Sequence, residues 1–473
     1  MRTSTSVALA ATAALAMTTL AAATAQSSPA TNSDTPRAQL AELRREVAAL
    51  KSAADGGASN WLTEERAAEI RGIVTDVLAD ADTRASLQGA AAAGYDGGFF
   101  LSSADGNFSM KVNLLEQIRW SFNDNDFNAP VGGAGGGGGG VALRGAVLSD
   151  THQAHGFENK RTRLSFGGNV VDASWSYRLA YYLGYSNSTE AFGSSELADA
   201  YLAKTLECGA TVTAGQFRLP YSAEYAIDTG NLQFMDYSVL ESAFGAGYGQ
   251  GVKVGYENDS FRVGVAYVNA IDSANDTWTS GSPEAEWAFT GRVDAKVAGN
   301  WSQFERAQSW RGDGYGVKVG AGLAWERANA DPAQTATGLT VDATVALGGA
   351  SLAFAYFMEW TGDSGSAAID DATPAGYLVS GGVFVTDDLE LVARYEYADA
   401  DQDFGGAETF STLTFGGNWY LARNTAKLGV DFGYAFDAVS AIYADDAASN
   451  NWLVDPTGED GQWVLRTQLS LSF

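Results

Sequence analysis

The sequence has little of several residue types on which familiar classes of protein depend. Its one cysteine, Cys208, cannot form a disulfide within the chain. Its two histidines, His152 and His155, both lie in a predicted loop, and no Ser-His-Asp pattern falls on strands, which argues against an enzyme. There are 29 Lys and Arg against 57 Asp and Glu. A general nucleic-acid binder is excluded because no basic surplus exists to neutralise phosphates.

Long apolar stretches are also missing after the first residues. An Ala-rich apolar run from Val7 to Ala23 follows Met1 and Arg2, and this pattern predicts a secretory signal peptide over residues 1–25. A transmembrane anchor is the alternative, but the run is short for a span and polar residues follow it. No later stretch is apolar for about 18 residues or more, so no membrane-spanning helix is predicted.

Residues 26–98 are predicted to form a linker and a periplasmic helical or coiled-coil segment. A heptad pattern is carried by Leu40, Leu43, Val47 and Leu50. Two heptads are too short to be stable alone, so this helix either self-associates, which we favour, or lies on a globular surface. A second helix is predicted over about 63–87. Peptidoglycan and another copy of the chain are both candidate partners of this segment.

From Phe99 onward, apolar residues alternate with small or polar ones in segments of about ten residues, as in the run from Leu352 to Trp360. Sixteen such segments predict an all-β fold over residues 99–473, a 16-stranded antiparallel transmembrane β-barrel. A water-soluble β-sandwich is disfavoured because Trp residues cluster near the predicted strand ends. The strands are predicted to begin near residues 108, 158, 174, 197, 211, 249, 260, 285, 314, 339, 351, 376, 389, 409, 425 and 461.

The predicted connections alternate between short and long, which is typical of a bacterial outer-membrane barrel. The long ones are 121–157, 185–196, 219–248, 270–284, 328–338, 361–375, 399–408 and 437–460. One connection, about 298–313, is long although it belongs to the short-turn end. Its aromatic residues Trp301, Phe304 and Trp310 suggest a small helical plug or cap.

The charges divide between the long connections and the strands. The eight long connections carry 26 acidic residues and one basic residue, Arg144. Placing the large apolar side chains outward leaves many cations facing the lumen, and this favours anions inside the pore. The candidate pore-lining residues are Lys111, Arg119, Arg161, Arg163, Arg178, Lys253 and Arg262. For any single one of them, pairing with a lumenal acid that braces the wall is the favoured alternative.

The connection 219–248 is rich in aromatic residues and includes Met235, a composition that disfavours extension into water. We expect it to fold into the barrel and constrict it, although it could instead clasp a neighbouring subunit. The candidate constriction residues are Tyr221, Glu224, Asp228 and Asp236.

Alternating carboxylates at Asp399, Asp401 and Asp403 form a weak candidate site for Ca²⁺. This stretch lacks the glycine and the distal glutamate of a calcium-binding loop. No other cofactor is expected.

Several motifs resemble one family of porins. The matching pieces are Asn159 to Gly168, Ser174 to Leu179, Asp199 to Leu202, Thr213 to Pro220 and Gly249 to Val254. Together they resemble the phosphate-selective porin O and P family, in a form similar to planctomycete-type porins. The resemblance implies a sixteen-stranded barrel, a homotrimer, and lumenal cations that attract phosphate or related oxyanions. Its motifs include Arg161, Arg163, Arg178 and Arg218.

The sequence therefore predicts an outer-membrane porin for passive diffusion of small hydrophilic solutes, with anions or oxyanions such as phosphate favoured. The alternative is a structural or adhesive outer-membrane barrel whose acidic surface loops bind cations. In either case the barrel contacts outer-membrane lipid.

Overall fold

The computed structural model describes most of the chain after residue 90. The described residues are 91–125, 153–183, 195–271, 287–327, 335–362, 373–400, 409–439, 450–453 and 460–473, with Tyr443 and six residues between 44 and 75. The chain divides into two units, Met1–Ala92 and Ala93–Phe473, which are considered separately.

Sixteen antiparallel strands form the barrel wall, and two short strands, β1 (Ala91–Tyr95) and β2 (Phe99–Ser103), precede it. The first eight wall strands are β3 (Ser109–Asp124), β4 (Gln153–Val170), β5 (Asp172–Leu183), β6 (Ser195–Thr205), β7 (Thr211–Arg218), β8 (Tyr248–Glu257), β9 (Phe261–Val268) and β10 (Trp287–Ala298). The other eight are β11 (Tyr315–Arg327), β12 (Thr335–Leu347), β13 (Ala350–Gly362), β14 (Ala375–Phe384), β15 (Leu389–Asp399), β16 (Thr409–Ala422), β17 (Ala426–Ala435) and β18 (Trp463–Ser472).

The barrel closes because the last strand pairs with the first strand of the wall. β18 runs antiparallel to β3, with Trp463 opposite Asp124 and Ser472 opposite Leu115. Beyond the end of β18, β2 pairs with the first residues of β3 and continues the wall. Closure leaves no unpaired edge in the wall, which a β-structure in lipid requires. The predicted sixteen-stranded barrel is therefore confirmed.

Side chains alternate between the two faces of the wall, as the period of two predicts. On β13, Leu352 and Phe354 are exposed on the outer face, whereas Ala355 and Phe357 are buried on the inner face. Aromatic residues also meet near strand ends, where the rings of Trp287 and Trp325 are 4.7 Å apart. The outer face is thus an apolar surface suited to lipid.

Short and long connections alternate around the barrel as predicted. β12 and β13 are joined by Gly348 and Gly349, whose φ angles of 67° and 127° favour glycine. The connection between β10 and β11 is long and contains a 3-10 helix, Trp301–Phe304. Trp301, Phe304 and Trp310 are all buried. The alternation of apolar and polar residues predicted the start of each wall strand to within a few residues. It does so because successive side chains of a strand face lipid and lumen in turn.

Several N-terminal predictions lie outside the described residues. These are the signal peptide at 1–25, the heptad positions Leu40, Leu43, Val47 and Leu50, and most of the helix at 63–87. Among the residues described in this part, Arg44, Arg45, Ala48, Ala68, Gly72 and Thr75 are helical. In the described part of the chain, no helix combines the length and apolar character needed to cross a membrane.

Candidate pore constriction

The connection between β7 and β8, residues 219–247, lies across the lumen; we call it the constriction loop. Near its start, the Tyr221 carbonyl accepts a 2.9 Å hydrogen bond from Arg292 of β10. Further on, the Met235 carbonyl accepts a 2.8 Å bond from Arg119 of β3. Because β3 and β10 are seven strands apart in a wall of sixteen, the loop reaches across the barrel.

The apolar side chains of the loop explain why it leaves the surface. Leu219, Leu232, Val239 and Leu240 are each no more than 4% exposed. Val239 and Leu240 belong to a short helix, α1 (Val239–Phe244), that packs among inner-face residues of the wall. Burying such side chains stabilises each by about 1.5–3 kcal/mol relative to exposing it, which favours the inserted position.

Asp236 is the principal ionic anchor of the loop. It lies within ion-pair distance of three cations: Arg119 at 3.3 Å, Lys160 at 3.2 Å, and Arg161, which also donates a hydrogen bond to it. Burial alone would raise the pKa of Asp236, but the charges of Arg161, Lys160 and Arg119 outweigh burial and hold that pKa well below its usual range. Asp236 therefore stays charged and fixes the loop to β3 and β4.

A β-bulge brings two of these cations to the same face. Gln117 pairs with Arg161, and the next residue, Ile118, pairs with Asn159, so Lys160 is an extra residue in β4. Both Lys160 and Arg161 are consequently buried on the inner side, although neighbouring residues of a strand normally alternate. Strict alternation along β4 predicts an outward-facing Lys160, so this residue was not among the predicted pore-lining cations.

A second anchor joins Arg163 of β4 to Asp228 of the loop. One guanidinium nitrogen of Arg163 donates to both carboxylate oxygens of Asp228, at 2.9 and 2.7 Å. Asp228 also accepts a 2.9 Å bond from the Gly230 amide and so caps a 3-10 helix, Thr229–Asn231. Burial opposes ionisation, but the Arg163 charge and the amide bond lower the pKa of Asp228.

Arg218 braces the start of the loop. Its guanidinium donates hydrogen bonds to the carbonyls of Tyr225 and Ile227 and to the Tyr248 hydroxyl. It also stacks over the Tyr225 ring at 4.6 Å. The family resemblance implied that Arg218 attracts anions. In the structure its guanidinium N–H groups instead donate to the loop carbonyls and to Tyr248.

Glycines on the inner wall make room for the loop. A Cβ on Gly322 of β11 would overlap the Tyr221 carbonyl oxygen. A Cβ on Gly376 of β14 would be 2.9 Å from Leu240, and one on Gly429 of β17 would be 2.6 Å from Met235. The wall is therefore shaped to receive the loop.

The β10–β11 connection meets the constriction loop from the short-turn end. The Ala307 amide donates to the Asn231 carbonyl at 3.1 Å, and the Gln308 side chain donates to the Leu232 carbonyl at 2.8 Å. Trp310 is anchored against Phe384, with ring centroids 5.1 Å apart. Two connections from opposite ends of the barrel thus narrow the lumen together.

Among the described residues, two cavities lie toward the short-turn end of the lumen. One, of about 580 Å³, is lined by Lys111, Arg178 and Tyr201. The other, of about 450 Å³, is lined by residues that include Lys253 and Arg262. Basic side chains therefore border both of these cavities, together with Asp96 in the first and Glu257 and Asp294 in the second.

The eight cations predicted to line the pore or attract anions therefore differ in their surroundings. Arg119, Arg161 and Arg163 are buried under the loop and paired with its acids. Their geometry matches the alternative expectation, in which each cation pairs with a lumenal acid and braces the wall. Arg218 braces the loop. Lys111, Arg178, Lys253 and Arg262 border the cavities, and Arg218 also lines the cavity of Lys253 and Arg262. Arg178 also pairs with Asp199 at 2.8 Å, and Arg262 pairs with Glu257 at 2.5 Å.

The four predicted constriction residues, Tyr221, Glu224, Asp228 and Asp236, all lie in the loop and contact the wall. Glu224 lies 3.6 Å from Arg394 of β15. Asp401 and Asp403 of the weak calcium motif lie outside the described residues. Among the residues that the structure describes, no group of three or more His, Cys, Asp or Glu side chains could hold a metal ion.

Comparison with known proteins agrees with this architecture. An anion-selective porin from Comamonas acidovorans has a TM-score of 0.50 at 13% identity, covering 77% of this chain and 99% of that one. OmpF of Salmonella typhi, solved with daunomycin, has a TM-score of 0.51 at 11% identity, covering 81% and 100%. At such identities the likeness shows the fold alone. No curated protein sequence matches the chain.

The family comparison covers most of the barrel. The sequence profile for phosphate-selective porin O and P matches residues 142–453, from the first long connection into the last. This range includes the constriction loop and its anchors on β4. It also includes the basic residues that line the two cavities, apart from Lys111. The chain belongs to the phosphate-selective porin O and P family of outer-membrane β-barrels.

Proposed function

We propose that the chain is a passive pore for small hydrophilic solutes, that anions are favoured, and that the constriction loop sets its narrowest part. The single observation that carries this proposal is the basic lining of the two cavities toward the short-turn end of the lumen, at Lys111, Arg178, Lys253 and Arg262. Cations that border water-filled space in a low-dielectric wall concentrate anions there. No catalytic step and no cofactor form part of the proposal.

The buried cations contribute less to this selectivity than the cavity cations. Arg161 and Arg163 face carboxylates of the loop, so their charges are largely neutralised at short range. The acidic residues of the long connections act at the opposite end of the barrel and lower the anion concentration there. We therefore expect a modest anion preference, with phosphate among the permeant oxyanions.

A swelling assay on liposomes containing the full chain tests the pore. Neutral sugars of increasing size give the size limit, and matched anionic and cationic solutes give the charge preference. The proposal is supported if anions permeate faster than cations of equal size. Liposomes that do not swell with any small solute would refute it.

A structural or adhesive barrel is the second candidate. The density of contacts between the constriction loop and the wall favours it, as do the 26 acidic residues of the predicted long connections. Such loops would bind divalent cations, with Asp399, Asp401 and Asp403 as one candidate calcium site. Cell-surface adhesion that needs calcium, without solute permeation, would favour this function.

We also propose a homotrimer, supported by an unusual polar patch on the outer wall. Glu116 lies between the buried Leu115 and Gln117 on β3, so its carboxylate faces outward. It accepts a 2.7 Å hydrogen bond from Thr162, which in turn accepts from Asn159 at 3.4 Å. A carboxylate in contact with lipid is costly, and a neighbouring protomer would cover it.

The segment that precedes the barrel belongs in the periplasm on this proposal. The short turns of outer-membrane barrels face the periplasm, and β2 continues the wall near that end. The predicted helices of residues 26–98 would then contact peptidoglycan or the corresponding helices of other protomers. Binding of a peptide covering residues 26–90 to purified peptidoglycan tests the first of these partners.

A further inference from the structure

Three carboxylates converge where α1 meets the wall. Glu224 accepts bonds from the Ser238 hydroxyl at 2.5 Å and from the Ser238 amide at 3.1 Å. Glu396 of β15 accepts a 2.8 Å bond from the Val239 amide. Glu241, in the first turn of α1, accepts from the Ser222 hydroxyl. These acids hold the second half of the constriction loop against the wall.

The cluster has fewer positive than negative charges at ion-pair distance. Arg394 of β15 lies 3.6 Å from Glu224 and 3.5 Å from Glu396. Arg292 of β10 and Arg218 of β7 also act on Glu241, but in the described part of the chain neither is within ion-pair distance of it. Three ionised carboxylates beside one guanidinium would leave an uncompensated buried charge.

Glu241 is the member least suited to carry that charge. The residue is 2% exposed, and its second carboxylate oxygen has no hydrogen-bond partner among the described residues. The neutral acid suits this position because a buried, unpaired carboxylate is strongly destabilised. Burial, and then the charge of Glu224, raise the pKa of Glu241 well above its usual value. Burial also raises the pKa of Glu224, against the charge of Arg394.

We propose that Glu241 is a proton-operated latch, which holds the constriction loop against the wall when neutral and releases it when ionised. The proposal rests on the pore function proposed above and adds its regulation. Ionised Glu241 would be repelled by Glu224, and it would attract water to the base of α1. Asp236, held by three cations, keeps the first half of the loop in place. Release is therefore confined to the α1 half.

The sign of the pH effect follows from proton binding. The docked loop binds the Glu241 proton more tightly than the released loop, because the carboxyl in water has its ordinary pKa. Raising the pH therefore weakens docking, beginning above that ordinary value and continuing up to the raised one. Docking is tightest in mild acid, and conductance should increase as the pH rises.

Single-channel conductance of the full chain, measured in planar bilayers between pH 5 and 9, tests the latch. We expect wild-type conductance to increase at least about twofold with pH, because a shifted loop widens the narrowest section. Glu241→Gln, which stays neutral and keeps its shape, should remain at the low-conductance level throughout. Glu207→Gln, an exposed acid in the β6–β7 turn, is the matched control and should behave as wild type.

A second variant keeps the test decisive if Glu241→Gln folds poorly. Ser222→Ala removes a donor that favours the ionised Glu241, so the midpoint of the conductance change should move up by about one pH unit. A wild-type conductance that is flat with pH, or a Glu241→Gln channel with the full wild-type rise, would overturn the latch while leaving the pore intact. Absence of conductance in every protein at every pH would instead overturn the pore itself, and the latch with it.

Discussion

Arg161 and Asp236 form a buried ion pair that ties the barrel wall to the segment lying inside it. Their sequence separation of 75 residues places one partner in β4 and the other between β7 and β8. Arg119 and Lys160 share the same carboxylate, so one acid pairs with three cations under the constriction loop. The pair shows how an acid of the loop supplies the counter-charge that cations buried in this part of the wall need.

Asp236→Asn tests this anchor. The substitution removes the counter-charge that Arg119, Lys160 and Arg161 share, and breaking a buried pair in this way costs about 3–5 kcal/mol. We expect a lower thermal unfolding temperature in detergent, together with noisier and larger single-channel currents from a loosened loop. Asp387→Asn, which alters an exposed ion pair with Arg311, is the control and should change neither property. Equal behaviour of the two variants would show that Asp236 does not anchor the loop.

Gly322→Ala tests the fit between the loop and the wall. The new Cβ would overlap the carbonyl oxygen of Tyr221, so the start of the loop must move; overpacking of this kind typically costs about 1–3 kcal/mol. Faster hydrogen exchange in peptides covering residues 219–247 is the expected result. Gly255→Ala is the control because the nearest atom to its Cβ is 3.8 Å away. Unchanged exchange in Gly322→Ala would mean that the loop does not rest on this glycine.

Lys111→Gln and Lys253→Gln test which cations set the charge preference. Both lysines border cavities, so removing both charges should lower the anion-to-cation permeability ratio by about twofold or more. Arg163→Gln removes a charge already paired with Asp228, so it should alter stability more than selectivity. Reversal potentials under a salt gradient measure both effects. A larger loss of selectivity from Arg163→Gln would place the selective site under the loop instead.

Glu116→Leu tests the proposed trimer contact. If a neighbouring protomer covers this outward carboxylate, the substitution removes its polar contact with the neighbour and should shift the protein from trimer to monomer on native gels. Val252→Leu is the control. It changes another outward-facing side chain, on the exposed outer face of β8, and should leave assembly unchanged. A stable Glu116→Leu trimer with unchanged dissociation temperature would show that the carboxylate faces lipid.

The sequence predicted the wall far better than the contents of the lumen. Strand positions follow from local alternation, and tight turns such as Gly348-Gly349 follow from residues that tolerate positive φ. The inserted loop was also foreseeable, since its apolar side chains exclude an extended position in water. The partner of each charged residue could not be predicted from the sequence. Arg161 and Asp236, for example, come together only when β4, β5, β6 and β7 are paired in order.

Three features in particular had no local signal. The bulge that turns Lys160 inward breaks the alternation on which facing was assigned. The glycine at position 322 resembles any small inner-face residue until the loop is placed against it. Glu241 occupies an ordinary helical position, and its significance depends on Glu224, which approaches it from an earlier part of the constriction loop. Each of these is a long-range property of the folded barrel.

The most direct test of the central claim is the zero-current potential of the purified full chain in planar bilayers under a tenfold potassium chloride gradient. A basic-lined pore predicts clear ionic conductance, with a reversal potential on the side that reports chloride permeating faster than potassium. Absence of conductance, or a reversal potential that reports preference for potassium, would contradict the account.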